Sequence, residues 1–135
     1  MKTLLLSLIL TSAPVLPALA QDWAIDGFDA VGFLESGQPV PGRGDISTLW
    51  KGQLWHFASE ENRNRFEADP RSFAPAFGGL CPVALAEGRR VQGDARHFVV
   101  IGDTLYLVGS QGSARKLQQA PHDILARAQE SWKTR

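Results

Sequence analysis

One cysteine, one methionine, one tyrosine and three histidines are all that this 135-residue chain offers of several side chains common in metal and redox sites. A single cysteine excludes an internal disulfide and any zinc site built on a Cys-x-x-Cys pair. The histidines stand at 56, 97 and 122, so no His-x-x-x-His exists either. The only methionine is the initiator, which leaves few soft ligands for copper. Charge of either sign is not in excess: 14 Lys+Arg balance 14 Asp+Glu, for a formal net charge of zero. With no basic tract and no lysine cluster, nucleic acid is a poor partner. The isolated pair Arg89-Arg90 reads as a solvated loop, and Arg43-Gly44-Asp45 as a chance tripeptide. A Gly-x-Ser-x-Gly elbow and a phosphate-binding glycine loop are both missing. No internal repeat and no low-complexity segment is evident.

Long apolar runs are also lacking, except at the start. Met1-Lys2-Thr3 precedes Leu4-Leu5-Leu6-Ser7-Leu8-Ile9-Leu10, and Pro14 and Pro17 lead to Ala18-Leu19-Ala20. A short positive start, an apolar core and a small-x-small site form a secretory signal peptide. The run is too short to span a bilayer. We therefore expect residues 1–20 to be a signal, cleaved after Ala20, and 21–135 to be one small domain. That domain is expected in the periplasm or the medium, with no stable membrane anchor.

Within it, Asp29 is placed to cap a helix that Gly37 closes. Phe28, Val31, Phe33 and Leu34 supply its apolar side. Ile46–Trp50 and Gln53–Ala58 predict a hairpin around Lys51-Gly52. In its second strand, Trp55 and Phe57 alternate with Leu54 and His56, which makes His56 a partly exposed sheet residue. Ser59, followed by Glu60 and Glu61, predicts a helix start, and Pro70 its end. Phe66 is that helix's core anchor. Arg71–Phe77 reads as a connection with Phe73 and Phe77 packed beneath it. His97–Ile101 and Thr104–Val108 predict a second hairpin around Gly102-Asp103. Helices over Ser113–Gln119 and from Pro121 to Trp132 complete the chain. The last has Ile124, Leu125, Ala128 and Trp132 as its apolar stripe. The expected class is α+β, with small antiparallel hairpins packed against short helices.

The one thiol sits in Phe77-Gly78-Gly79-Leu80-Cys81-Pro82, between two glycines and a helix over Leu80–Glu87 that Gly88 ends. Proline is accepted at a helix start, which puts Cys81 at the N-cap or first helical position. The positive end of the helix dipole favours a thiolate there. Four fates are open to this thiol: burial, free reactivity, pairing with another molecule, or metal ligation. His97, at a strand start beside a loop, and His56 are the candidate partners, either as co-ligands or as the base of a Cys–His pair.

Several stretches match one family in order. Ile25-Asp26-Gly27-Phe28-Asp29-Ala30-Val31 resembles the Gly-Tyr-Asp-Pro-Val opening of exported YHS-domain proteins. Trp55-His56-Phe57-Ala58-Ser59-Glu60-Glu61-Asn62-Arg63 is similar to their aromatic-x-Phe-Ala-Ser-x-Glu-Asn-Arg. Phe66-Glu67-Ala68-Asp69-Pro70 is similar to their Phe-x-x-x-Pro. Phe73-Ala74-Pro75-Ala76-Phe77-Gly78-Gly79-Leu80-Cys81 resembles Tyr-Ala-Pro-x-Tyr-Gly-Gly-Tyr-Cys, and Gly102-Asp103-Thr104-Leu105-Tyr106-Leu107 resembles Asp-Gly-Lys-Leu-Tyr-Leu. The resemblance implies a single small α+β domain. It also implies metal handling in those relatives that carry extra cysteines. Here their Phe-Cys-Ser reads Phe57-Ala58-Ser59, Ala30 replaces a proline, and Phe33, Phe77 and Leu80 replace tyrosines. His97 stands where tryptophan is common. The resulting expectation is a non-enzymatic exported binding domain. Its partner is a small ligand, a protein, or a copper or zinc ion held by Cys81 with His97 and His56. The alternatives are a structural or interaction domain with an inert buried cysteine, and a thiol enzyme or redox protein.

Overall fold

The computed structural model describes residues 22–134, so the expected signal peptide lies outside the described residues. The fold is α+β, with two separate two-stranded antiparallel sheets among helices. Helix α1 is Ala30–Ser36, followed by strands β1 (Arg43–Trp50) and β2 (Gln53–Phe57). Helices α2 (Glu60–Ala68) and α3 (Pro70–Phe73) come next, then α4 (Pro82–Ala86). Strands β3 (Asp94–Ile101) and β4 (Thr104–Val108) precede α5 (Gln111–Gln119) and α6 (Pro121–Lys133). No helix among the described residues is long and apolar enough to cross a membrane.

Local chemistry sets most boundaries. The Asp29 carboxylate accepts from the first amides of α1, and Gly37 closes that helix at φ 65°, a conformation that favours glycine. Ser59 and Ser110 cap α2 and α5 by accepting from Asn62 and Ser113 amides, which starts α5 two residues earlier than expected. Pro70 begins a short helix inside the stretch expected to be a plain connection, since proline fits a helix's first turn.

The element order repeats. A left-handed turn, a short helix, a hairpin and two helices occur twice, first from Ala24 and again from Ala76. The backbone hydrogen bonds repeat with them. Phe28 N donates to Ile25 O (3.0 Å) and Leu80 N to Phe77 O (3.1 Å). Asp29 N donates to Val40 O (2.7 Å) and Cys81 N to Val91 O (2.8 Å). Gly42 N donates to Gly27 O and Gly93 N to Gly79 O, each at 2.9 Å. Both hairpins shift register near their outer ends, between Arg43 and Ser47 and between Asp94 and Phe98. The fold is thus an internal duplication, which corrects the expectation of no repeat. Among the side chains that survive in both copies are Gly27/Gly79, Val31/Val83, Val40/Val91, Gly42/Gly93, Ser59/Ser110 and Pro70/Pro121. Most of these meet a backbone demand. The core residues have drifted, Phe33 to Leu85, Phe57 to Val108 and Phe66 to Leu117, all of them buried.

The second hairpin joins the halves into one domain. Phe98, Val100, Leu105 and Leu107 pack on a core with Phe33, Phe57 and Phe66. Val99, Ile101, Tyr106 and Val108 face the other way, against Cys81, Leu117 and Ile124. Side chains alternate across a strand, so a hairpin apolar on both faces can separate two cores. Fully burying each of the three phenylalanines contributes about 1.5–3 kcal/mol. At the open end of β3, the Arg96 guanidinium hydrogen-bonds the Asp94 carboxylate at 2.6 Å and holds its pKa down at about 2.

His56 departs from its expected exposure. It is buried, with its ring edge-on to Trp23 at 4.7 Å between centroids. The segment before α1 pairs with the edge of β2, where Leu54 N donates to Asp22 O (3.0 Å), and this brings the Trp23 ring and the backbone at Gly27 against the imidazole that the alternation left open. Trp23 is itself 59% exposed, while Ile25 is buried.

Candidate functional site

The three histidine and cysteine candidates do not converge. Cys81 is the N-cap of α4, as expected, but only 2% exposed. Its neighbours are apolar: Val83, Ala84, Val99, Val108, Leu117 and Ile124. A cavity of about 230 Å³ lies against it, edged by Arg89, Ser110, Ser113 and Lys116. His97 lines a different cavity with Gln111, Arg115 and Gln118. These residues lie on another side of α5 from Ser113 and Lys116, so α5 stands between the imidazole and the thiol. His56 is in the first half, against Trp23 and close to Gly27 and Gly42. Among the described residues no three His, Cys, Asp or Glu side chains are grouped to hold a metal ion. The set Cys81, His97 and His56 therefore does not fit copper or zinc, which need several ligands on one centre. His122 is exposed on α6.

Cys81 does have a counterpart. Asp29 holds the same station in the first half, and its carboxylate is fully used. One oxygen accepts from Val31 N (2.9 Å) and Gly32 N (3.1 Å). The other accepts from Ala58 N (2.8 Å) and Asn62 Nδ2 (2.7 Å). Asp29 thus ties α1 to the junction of β2 and α2, a reach beyond the cap expected from sequence. In the second half a thiol replaces this cross-link, and apolar packing replaces the hydrogen bonds. Its burial predicts slow reaction with a water-soluble thiol reagent until denaturant is added. Prompt modification of the native protein, at the rate of a free thiol, would refute that inertness.

The stretch Phe77-Gly78-Gly79 matters for another reason. Together with Ile25 it borders a cavity of about 340 Å³ between the two halves. The first half contributes Trp50, Lys51, Trp55 and Arg71, and the second contributes Phe77 and Gln92. Both left-handed turns open on it. Ile25 has φ 51° and Phe77 φ 56°. A positive φ is costly for bulky side chains, and such strain gathers at binding and active sites. Each turn is held by its own pair of backbone bonds, from Phe28 and Gly42 in one and from Leu80 and Gly93 in the other. Gln92 Nε2 also donates to Gly79 O (3.1 Å), which braces the glycine pair from the cavity side.

The walls are aromatic and the mouth is cationic. Trp50 stands edge-on to Trp55, with centroids 5.5 Å apart, and both pack on Phe66. Trp55 Nε1 donates to Trp50 O (3.1 Å), so its polar atom is satisfied internally. Lys51 Nζ lies 4.7 Å over the Trp50 ring. Such a cavity, about 340 Å³ and largely apolar with a few polar groups, is at the small end of ligand pockets, which run about 300–1,000 Å³. The sequence identifies Trp50 and Trp55 as hairpin residues and brings neither Lys51 nor Arg71 to any site. The signal available was slight: a lysine in a hairpin turn next to tryptophan, and an arginine after Pro70. Comparison with protein-family models, with curated proteins and with solved structures gives no match for this chain.

Proposed function

We propose that this protein is an exported, non-enzymatic binding domain of YHS-like type, and that it holds a small organic ligand in the cleft between its two halves. The observation that carries this reading is the convergence of two strained left-handed turns and two tryptophans on one cavity of about 340 Å³. The cleft lies beside the glycine pair that precedes Cys81, so the thiol acts in folding and not in contact with the ligand. A metal-binding version at Cys81 lacks co-ligands among the described residues. Nothing lining the cleft is a nucleophile paired with a base, which favours binding over chemistry.

N-phenyl-1-naphthylamine, a neutral aromatic fluorophore that brightens in apolar surroundings, is a suitable probe. Saturable binding of one probe per chain is expected, and Thr104→Trp, which fills the cleft from the start of β4, should weaken it at least tenfold. Thr104 is half-buried at a strand start, where an aromatic residue is well tolerated. Binding that does not saturate, or that ignores Thr104→Trp, rejects the cleft as the site. The second reading, a purely structural or interaction domain, is favoured by the burial of Cys81 at 2% exposure. It predicts no saturable binding at all.

A further inference from the structure

Charge at the mouth of the cleft is one-sided. Lys51 and Arg71 line it, and no aspartate or glutamate does. Neither cation takes part in an ion pair among the described residues. The same holds for Arg90, Arg115 and Lys116, none of which lines this cleft, whereas Arg43, Arg63, Arg65, Arg89, Arg96 and Arg127 are each paired. The acid nearest Arg71 in sequence, Asp69, accepts from the Ser72 hydroxyl. The excess is local, because the whole chain is formally neutral. A positive mouth on a neutral protein is a feature of that place, and a cleft with low-dielectric walls focuses its field. The aromatic wall continues to the charge itself, since the Lys51 ammonium sits over the Trp50 ring.

From the cleft reading above, on which this step rests, we infer that the ligand is a small aromatic anion: one or two aromatic ring systems bearing a single carboxylate or sulfonate. The rings lie against Trp50, Trp55 and Phe77, where stacked or edge-on aromatic contacts add to simple burial. The acidic group meets Lys51 and Arg71 at the mouth, still partly in water. Arg71 can engage it with two parallel N–H donors, and Lys51 adds a point charge. Cations and metal ions are disfavoured, because the cleft offers them positive charge and no carboxylate. A neutral aromatic molecule would fill the same walls and give neither cation an acidic partner.

Two probes with one ring framework separate these statements. 1-Anilinonaphthalene-8-sulfonate carries the anion, and N-phenyl-1-naphthylamine lacks it. At low ionic strength the sulfonate is expected to bind about tenfold tighter, and the advantage should shrink in 0.5 M salt as the charges are screened. The double substitution Lys51→Gln with Arg71→Gln should bring the sulfonate to parity with the neutral probe, both measured on the same variant, so that any change in the cleft wall is shared and only the loss of charge moves their ratio. Each exposed pair is expected to account for about threefold. Both side chains are exposed, so the variant keeps its fold, which its near-ultraviolet circular dichroism will register. Equal binding of the two probes by the unaltered protein, with Thr104→Trp still blocking both, overturns the anion and leaves the cleft standing. Failure of both probes to bind overturns the cleft itself.

Discussion

Asp29→Ala is expected to destabilise this protein by about 3–5 kcal/mol, enough to leave it barely folded at room temperature. The Asp29 side chain is completely buried. Its two oxygens accept four hydrogen bonds, from Val31 N, Gly32 N, Ala58 N and Asn62 Nδ2. Alanine removes the acceptor and leaves the buried Val31 and Gly32 amides, and the part-buried donors of Ala58 and Asn62, without it. An unsatisfied buried group costs about 1–3 kcal/mol, and relaxation around the hole offsets part of the total. Asp29→Asn keeps the shape and one acceptor oxygen, but its amide nitrogen must confront donors, so about half the loss is expected. Asn62→Ala removes a single donor and should cost about 1 kcal/mol. Urea denaturation of the three variants, read by tryptophan fluorescence, gives this order directly. An Asp29→Ala loss below about 1 kcal/mol would mean that the carboxylate does not connect α1 to α2 as described.

The second large effect is expected at two glycines with ordinary backbone angles. A Cβ on Gly93 would stand 2.5 Å from the carbonyl carbon and oxygen of Leu107. A Cβ on Gly42 would stand 2.5 Å from His56 Cβ and 2.7 Å from Gly27 O. These positions are the same point in the two repeats, where the chain entering each hairpin presses on the second strand. The obstructing atoms include backbone held by the ladder, so no side-chain rotation relieves the clash. Gly93→Ala and Gly42→Ala should each cost about 3 kcal/mol or more, above the usual range for overpacking. Gly44→Ala is the control. A Cβ there meets nothing within 4 Å. Its effect should stay within about 0.5 kcal/mol. Thermal melting of the three proteins tests the contrast. If Gly93→Ala melts with Gly44→Ala, the close approach of the two segments is wrong.

These two predictions also mark where local sequence stops being informative. Ser59, Gly37 and Pro70 act on their own neighbours, so their roles were legible from chain order. Both hairpins were legible too, because Lys51-Gly52 and Gly102-Asp103 supply positive φ between alternating apolar runs. The first turn of each strand pair was not, since a register shift leaves no mark in composition. His56 was assigned to an open face by correct alternation, and the arm that brings Trp23 against its ring comes from a segment with no strong pattern of its own. Trp50, Lys51 and Arg71 each had an ordinary local explanation. They share a site only because β1, its turn and α3 end at the same cleft.

The duplication shows the division most clearly. The sequence by itself determined the elements: which residues cap, which turn, which strands pair, and that one cysteine rules out a disulfide. It kept the few side chains that backbone geometry demands, Gly27/Gly79, Gly42/Gly93, Ser59/Ser110 and Pro70/Pro121. The tertiary structure alone decided that these elements form two copies of one unit. Buried apolar side chains can be exchanged for others of suitable volume, so Phe66 became Leu117 and Phe33 became Leu85 without disturbing the fold. It also decided the fate of the thiol. Cys81 sits where Asp29 sits, but its surroundings are the apolar faces of α5, α6 and the second hairpin. Those contacts come from residues distant in the chain, and burial depends on them, not on the glycines and proline beside the cysteine.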